Sequence, residues 1–367
     1  MKLLRVILFP FSLLYGIAVF LRNVFYDLSI IKSESFDLSV ISVGNLSVGG
    51  TGKSPHIEYL IRLFKTENKT ATLSRGYGRI TSGFLLATDE SDALQIGDEP
   101  RQFKQKFPEI EVAVDSDRVR GIRKLIENNS ELNVILLDDA FQHRAVKPGL
   151  SVLLTDYRKL YADDFLMPSG NLREWKNAAN RADIIIVTRI PEHFSPMERR
   201  IIKERLNPKP YQSIYFSYVK YGEFVPVNKR KEHKLLQKEF YFERNFSVLL
   251  FTGIASSMQL HDYLKNKVKE IRHLKYRDHH RYSSTDMKRI RQLFDNIAND
   301  NKIIITTEKD AMRLAMPAYE EIIKDLPIFY IPIEIGFHER DEEEFNEKII
   351  SYVKKNQANS RIHKRKN

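Results

Sequence analysis

Val43-Gly44-Asn45-Leu46-Ser47-Val48-Gly49-Gly50-Thr51-Gly52-Lys53-Ser54 stands between a strand-like and a helix-like segment. Before it, Leu38, Val40, Ile41 and Val43 make a short β-branched run. After it, Ile57, Leu60, Ile61 and Phe64 recur at i, i+3, i+4 and i+7 behind Pro55, a residue tolerated in a first helical turn. The spacing predicts a strand over 38–43, a glycine loop, and a helix over 56–65. In that order backbone N–H groups can close around phosphate oxygens, and the helix N-terminus adds partial positive charge. Gly49, Gly50, Thr51 and Gly52 would form the cradle, Lys53 would reach the β- and γ-phosphates of a nucleotide, and Ser54 would hold Mg²⁺. Ser47 occupies the first glycine position of the G-x-x-x-x-G-K-[ST] pattern. The competing reading is a glycine-rich βα turn with an exposed lysine.

Outward from the loop, strand and helix signals alternate to about residue 190. A strand is expected over 70–74, a helix over 99–107, and short apolar runs follow at 111–114, 134–137, 152–155 and 184–187. This is the pattern of a parallel sheet with helices on both faces, so the fold class is α/β, P-loop kinase-like. Between 206 and 240 an aromatic and polar stretch around Gly222 reads as a hairpin. A second, smaller α/β lobe begins at Ser247-Val248-Leu249-Leu250-Phe251, with helices near 257–266 and 284–297 and a strand over 302–306. The chain divides into an N-terminal hydrophobic helix (1–30), a P-loop nucleotide-binding domain (31–205), a β-hairpin-like connector (206–240), a C-terminal α/β lobe (241–353) and a basic, frayed tail (354–367).

The 367 residues are 42% hydrophobic and 29% charged, an ordinary globular balance for two domains with cores. Zero cysteines exclude disulfides, thiolate metal sites and cysteine nucleophiles together. A net charge of +11 draws the protein toward anionic partners: nucleic acid, acidic headgroups or phosphorylated substrates. The clusters Lys229-Arg230-Lys231 and Arg361-Ile362-His363-Lys364-Arg365-Lys366 read as solvated loop and tail.

Lys2 and Arg5 precede a charge-free run over 6–21 that contains Pro10. It is shorter than the roughly 20 residues that span a bilayer comfortably. With no evident small-x-small cleavage site, it reads as an uncleaved membrane-embedded or interfacial anchor rather than a buried core helix or signal peptide. An anchored front end implies a membrane-resident substrate.

Several further motifs carry chemistry. Asp138 and Asp139 end an apolar run, where a P-loop needs a carboxylate to fix Mg²⁺ directly or through water; alone, such a pair also serves as a cap or turn. Gln142, His143 and Arg144 follow at once. Gly97-Asp98-Glu99-Pro100 places two acids at a loop-to-helix junction, either as caps or as a general base with a metal-associated carboxylate. Arg75, Arg79, Arg118 and Arg173 are candidate cations for a transferring phosphoryl group. Ser74-Arg75-Gly76-Tyr77-Gly78-Arg79 suits a loop that approaches a phosphate or sugar closely. Asp278-His279-His280-Arg281-Tyr282 offers a carboxylate-associated acid or base, or an exposed loop. In Thr306-Thr307-Glu308-Lys309-Asp310 the lysine is misplaced for a guanine-reading motif, which favours ATP over GTP.

In order from Asn45 to Asp310, these motifs together with Leu172-Arg173-Glu174 resemble tetraacyldisaccharide 4′-kinase, the lipid A kinase family of Gram-negative bacteria, whose loop likewise lacks the first glycine. The resemblance implies transfer of the ATP γ-phosphoryl group to the 4′-hydroxyl of tetraacyldisaccharide 1-phosphate, at the cytoplasmic face of the inner membrane. It implies that Lys53 binds the β/γ-phosphates, that Ser54 and Asp138 or Asp139 place Mg²⁺, and that Glu99 assists the metal. Asp98 would be the base, coupled to His279 across the cleft between lobes, with His280 the alternative histidine. Arg118, Gln142, Arg173 and Glu174 would contact phosphates or the disaccharide, and Tyr77 would line the cleft.

Two other classes compete. A membrane-associated P-loop NTPase acting as a switch or chaperone would need switch loops and a nucleobase motif. A nucleic-acid-binding NTPase is suggested by charge alone, and the anchor and the lack of a helix-turn-helix or zinc module oppose it, so no nucleic-acid partner is expected.

Overall fold

The computed structural model describes residues 2–227, 236–314 and 322–366; the Lys229-Arg230-Lys231 cluster lies outside them. The chain forms two compact units, Met1–Val219 with Ile335–Asn367, and Lys220–Glu334. The larger contains helix α1 (Lys2–Asp27), strand β1 (Ser39–Asn45), helix α2 (Lys53–Phe64), strands β2 (Thr70–Ser74) and β3 (Leu85–Leu86), and helices α3 (Ala93–Ile96) and α4 (Asp98–Lys106). Strand β4 (Glu111–Val114), helix α5 (Arg118–Asn128), strands β5 (Val134–Asp138), β6 (Leu150–Asp156) and β7 (Ile184–Thr188), helix α6 (Pro196–Leu206) and strand β8 (Ser213–Tyr221) follow. The smaller unit holds β9 (Val225–Pro226), α7 (Lys238–Glu243), β10 (Ser247–Thr252), α8 (Met258–Lys265), β11 (Glu270–Lys275), α9 (Ser284–Asp295), β12 (Lys302–Thr307), α10 (Glu308–Leu314) and β13 (Ile328–Ile331). The chain then returns through β14 (Ile333–Phe337) and α11 (Asp341–Lys366).

The large sheet runs β14-β8-β7-β6-β1-β5-β2-β4-β3, and β1 pairs in parallel with both β5 and β6. The chain moves from β1 outward through β2 and β4, returns to β5 beside β1, then continues as β6 on the other side. The end of β1 is therefore the switch point where ligands bind in open α/β sheets. Along β1, Ile41 and Val43 join one apolar cluster with Ile57, Leu60 and Phe345, whereas Val40 joins another with Ile122 and Leu125. That period-2 division buries the strand on both faces, under α2 and α11 on one side and α5 on the other.

Two sequence expectations are corrected. Among the described residues of 206–240 no hairpin forms: β8 pairs in parallel with β7, and Val225–Pro226 pairs antiparallel with β13. Tyr215, Phe216 and Ser217 are buried at the middle of β8, so the aromatic alternation belongs to a sheet strand made by long-range pairing. Nor does a frayed tail begin at 354. Helix α11 runs unbroken to Lys366, because Phe345, Ile349 and Val353 recur every four residues and enter the main core. The compact units accordingly divide at Val219/Lys220 and Glu334/Ile335, not at 205/206 and 353/354.

Helix α1 is continuous through Pro10 and, at 26 residues, about 39 Å long. Its Arg5–Asp27 portion is long and apolar enough to cross a membrane by length and composition, and only 11% of that apolar window is buried. The docked face is small and polar. Ser12 Oγ lies 2.7 Å from Ser169 Oγ, Tyr15 Oη donates to Arg173 O at 2.8 Å, and Trp175 Nε1 donates to Gly16 O at 2.9 Å. A methyl on Gly16 would sit 2.6 Å from Trp175 Cζ2, so only glycine permits this approach. Phe9, Phe11, Leu14, Ile17 and Phe20 face outward, the inverse of a water-soluble amphipathic helix.

In the smaller unit the sheet runs β11-β10-β12-β13-β9, parallel except for β9. Separate apolar clusters lie around Phe251, Ile290 and Ile304, and around Leu250, Leu264 and Ile305.

Candidate active site

The loop after β1 turns through Gly49 and Gly52 at φ 103° and 90° and delivers Lys53 and Ser54 to the first turn of α2. Its shape is held from below. Asn45, fully buried at the strand end, donates Nδ2 to Thr51 Oγ1 at 2.9 Å and accepts at Oδ1 from Lys53 Nζ at 3.4 Å. Thr188 Oγ1 donates to Thr51 O at 2.9 Å. His56 Nδ1 donates to Gly52 O at 2.7 Å, which leaves Nε2 to accept from Ser217 Oγ at 3.0 Å. Burial pulls the His56 pKa down to about 4. Asn45, His56 and Thr188 were not singled out as site residues from sequence; an asparagine at the end of a buried strand before a glycine loop was the available signal.

Strand register sets the acids. Val43 is directly opposite Asp138, so β5 ends beside the point where the loop begins. Asp139 adopts φ 48°, which turns the chain there, and its Oδ1 lies 3.6 Å from Lys53 Nζ. Arg173 reaches the same carboxylate, with Nη1 3.1 Å and 3.2 Å from its two oxygens, and reaches Gln142 Oε1 at 3.3 Å. Gln142 Nε2 donates to Asn45 O at 2.8 Å. The Arg173 segment is tied to the loop by its own backbone: Arg173 N donates to Leu46 O at 2.7 Å and Val48 N to Asn171 O at 2.8 Å. Lys53, Asp139, Gln142 and Arg173 thus meet beside Ser54 and Asp138.

Asp98 and Glu99 open α4, where the helix dipole favours carboxylates. Gly97 precedes them at φ 96°, and a methyl there would lie 3.0 Å from Tyr77 O and 3.2 Å from Gly76 Cα. This backbone contact packs the acids against the 75–79 loop, which leaves the same sheet rim at the end of β2. Tyr77 is exposed at its tip.

Arg79 and Arg144 are committed elsewhere. Arg79 donates to Gly83 O at 2.7 Å, and Arg144 to Asp27 at 2.7 Å. Arg118 is buried, donating to Asp115 O at 2.7 Å and Asp138 O at 3.4 Å; burial lowers its pKa to about 10 against the opposing pull of Asp138 and Asp139. Glu174 is fully buried between Arg22 and Arg181, 3.2 Å and 2.7 Å away, and accepts from Asn23 at 3.1 Å. His143 accepts from Arg118 N at 3.4 Å.

In the smaller unit, His279 stands at φ 55°, its N–H donating to Gly253 O at 3.0 Å. Arg313 Nη2 lies 3.3 Å from its Nδ1. His280 instead lies 3.1 Å from Asp286 at the start of α9 and stacks on Tyr276 at 4.4 Å. Asp310 is fully buried and accepts from Gly253 N at 2.9 Å, Thr307 Oγ1 at 2.7 Å and Arg313 Nη1 at 3.0 Å, so its carboxylate is committed within the unit.

A parallel sheet with a glycine loop at its switch point, a lysine and a hydroxyl opening the next helix, and acids ending the neighbouring strand define a P-loop phosphotransferase. More specifically, the chain belongs to the tetraacyldisaccharide-1-P 4′-kinase family, whose model matches residues 4–354. It is 45% identical to the tetraacyldisaccharide 4′-kinase of Bacteroides thetaiotaomicron over 98% of this chain and 96% of that one. With the enzyme of the same description from Flavobacterium johnsoniae it shares 47% identity over 97% and 99%. Among solved structures it is similar to the "apo" form of LpxK from Aquifex aeolicus in complex with ATP, with TM-score 0.70 and 27% identity, covering 95% of this chain and 99% of that one.

Proposed function

We propose that the protein transfers the γ-phosphoryl group of ATP to the 4′-hydroxyl of tetraacyldisaccharide 1-phosphate. The observation that carries the reading is the meeting of Lys53, Asp139 and Arg173 at the end of β1, in a chain whose relatives bear that activity. The hydroxyl oxygen bonds to the γ-phosphorus, the phosphorus–oxygen bond to ADP breaks, and the hydroxyl proton passes to Asp98. Lys53 binds the β- and γ-phosphates, and the loop from Gly49 through Gly50 and Thr51 to Gly52 cradles them. Arg173 and Gln142 face the transferring group or the acceptor phosphate, and Tyr77 lines the acceptor side.

Mg²⁺, when bound, neutralises phosphate charge; Ser54 and Asp138 are its proposed ligands, with Asp139 and Glu99 assisting. Among the described residues no cluster of three or more His, Cys, Asp or Glu could hold a metal. The donor set here suits an ion that takes most of its ligands from phosphate and water. Glu174 and Arg118 support the site instead of touching substrate, which their burial favours. His279 is assigned the second catalytic role, as a hydrogen-bond donor to the reacting groups; the Nε2 of His280 is engaged by Asp286.

The outward apolar face of α1 supports attachment to the inner membrane from the cytoplasmic side, where a lipid acceptor resides. The test is incubation with radiolabelled ATP, Mg²⁺ and tetraacyldisaccharide 1-phosphate in detergent. Labelled bisphosphorylated lipid is expected, absent with Lys53→Ala and Asp98→Ala; acceptor-independent ATP hydrolysis alone would favour the switch reading.

A further inference from the structure

The Thr306-Thr307-Glu308-Lys309-Asp310 motif has no part in the chemistry above, yet its aspartate organises the backbone around a histidine. Asp310 takes the Gly253 N–H with Oδ2 and Arg313 Nη1 with Oδ1, at 2.9 Å and 3.0 Å. Arg313 Nη1 also donates to Gly253 O at 3.0 Å, the same carbonyl that accepts the His279 N–H at 3.0 Å. Gly253 is therefore gripped at both N–H and C=O, and His279 hangs from it in a left-handed conformation, φ 55°. The remaining arm, Arg313 Nη2, reaches His279 Nδ1 at 3.3 Å. Arg313 and Asp310 are 8% and 0% exposed, so the network is shielded from competing water.

A guanidinium has donors only. The Nδ1 it meets must carry a lone pair, and the neutral ring's proton must then be on Nε2. Asp278 Oδ1 lies 3.9 Å from Nε2, on the side that then carries the proton. We propose that Arg313 is a positioning residue, held by Asp310, that fixes His279 as the Nε2–H tautomer, so that Nε2–H is a directed hydrogen-bond donor. The assignment rests on the reading of His279 as a residue of the reaction centre. It gives the Asp310 motif a role in catalysis rather than in reading a nucleobase.

Two measurements on the full-length protein in detergent micelles test this. With ¹⁵N-histidine labelling, and the His279 signals identified by their loss in His279→Gln, a protonated Nε2 and a hydrogen-bonded, unprotonated Nδ1 are expected. A protonated Nδ1, or signals averaged between tautomers, overturns the proposal whatever the activity. Arg313→Lys keeps a buried cation opposite Asp310 but loses the fork. It should lower kcat roughly 10-fold with KM changed less than about 2-fold, as expected for a group that orients a residue of the reaction centre. In the His279→Gln background the same change should have no further effect. Additive losses would mean that Arg313 supports the fold alone. Full activity of His279→Gln would instead sink the catalytic reading of His279, leaving the tautomer result standing on its own.

Discussion

Asp139 Oδ1 lies 3.6 Å from Lys53 Nζ, and the same carboxylate accepts from both terminal nitrogens of Arg173. One acid thus holds in register the two cations proposed to meet phosphate. Asp139→Asn keeps a side chain of the same shape but removes the charge, and should lower turnover roughly 10- to 100-fold. Lys53→Ala should cost about 10³-fold or more. Steady-state kinetics check both, and a Lys53→Ala enzyme of normal rate would refute the assignment of the loop.

Gly97 should tolerate nothing larger. At φ 96°, with Tyr77 O 3.0 Å from an added methyl, Gly97→Ala strains the backbone and pushes Asp98 away from the 75–79 loop. The expected loss is about 1–3 kcal/mol in urea unfolding, together with reduced activity. Unchanged stability and rate would show that the close approach is dispensable.

The clasp between α1 and the 165–175 segment makes a separate prediction. Gly16→Leu would displace Trp175 and Leu166, and with them the carbonyl of Arg173 that Tyr15 holds at 2.8 Å. Turnover should fall several-fold while the Kd for ATP changes less, because the far end of the loop is also held through Thr51 by Asn45 and Thr188. Equal losses in both would place the defect in the phosphate loop itself.

His56 gives a pH signature in stability. Its pKa is about 4 in the fold against an ordinary 6.5, so between those values the unfolded chain binds the extra proton. Stability contributed by the neutral ring is present above pH 6.5 and is lost as pH falls from about 6.5 to about 4, to a limit of about 3 kcal/mol. His56→Gln should flatten the unfolding free energy in that window relative to wild type. An identical slope would show that His56 is not the group responsible.

The parts of this molecule that sequence discloses are those made by neighbours in the chain. The phosphate loop, the helix behind Pro55 and the acids ending β5 are each set by spacing over a dozen residues. What escaped depends on distant partners. The alternation in β8 suits a hairpin as well as a parallel strand, and only pairing with β7 decides. Glu174 reads from the sequence as a substrate contact beside Arg173, and its pairing with Arg22, 152 residues earlier, is not legible there. Ser12, Tyr15 and Gly16 were hidden in an apolar run whose exposed face dominates its composition. The stripe of Phe345, Ile349 and Val353 was readable in principle, but the charges around it resemble a solvated tail.

Helix α11 closes over the elements that carry the phosphate loop. Phe345 packs with Tyr59 of α2, Tyr352 Oη donates to Val40 O of β1 at 3.4 Å, and Asn356 reaches Ser39 at 3.3 Å. The whole smaller unit lies between β8 and this helix in the order of synthesis. The first functional motif to leave the ribosome is therefore the last to receive its backing. A truncation after residue 340 would spare every residue proposed for the site and still strip from that face of the sheet the helix that packs there beside α2.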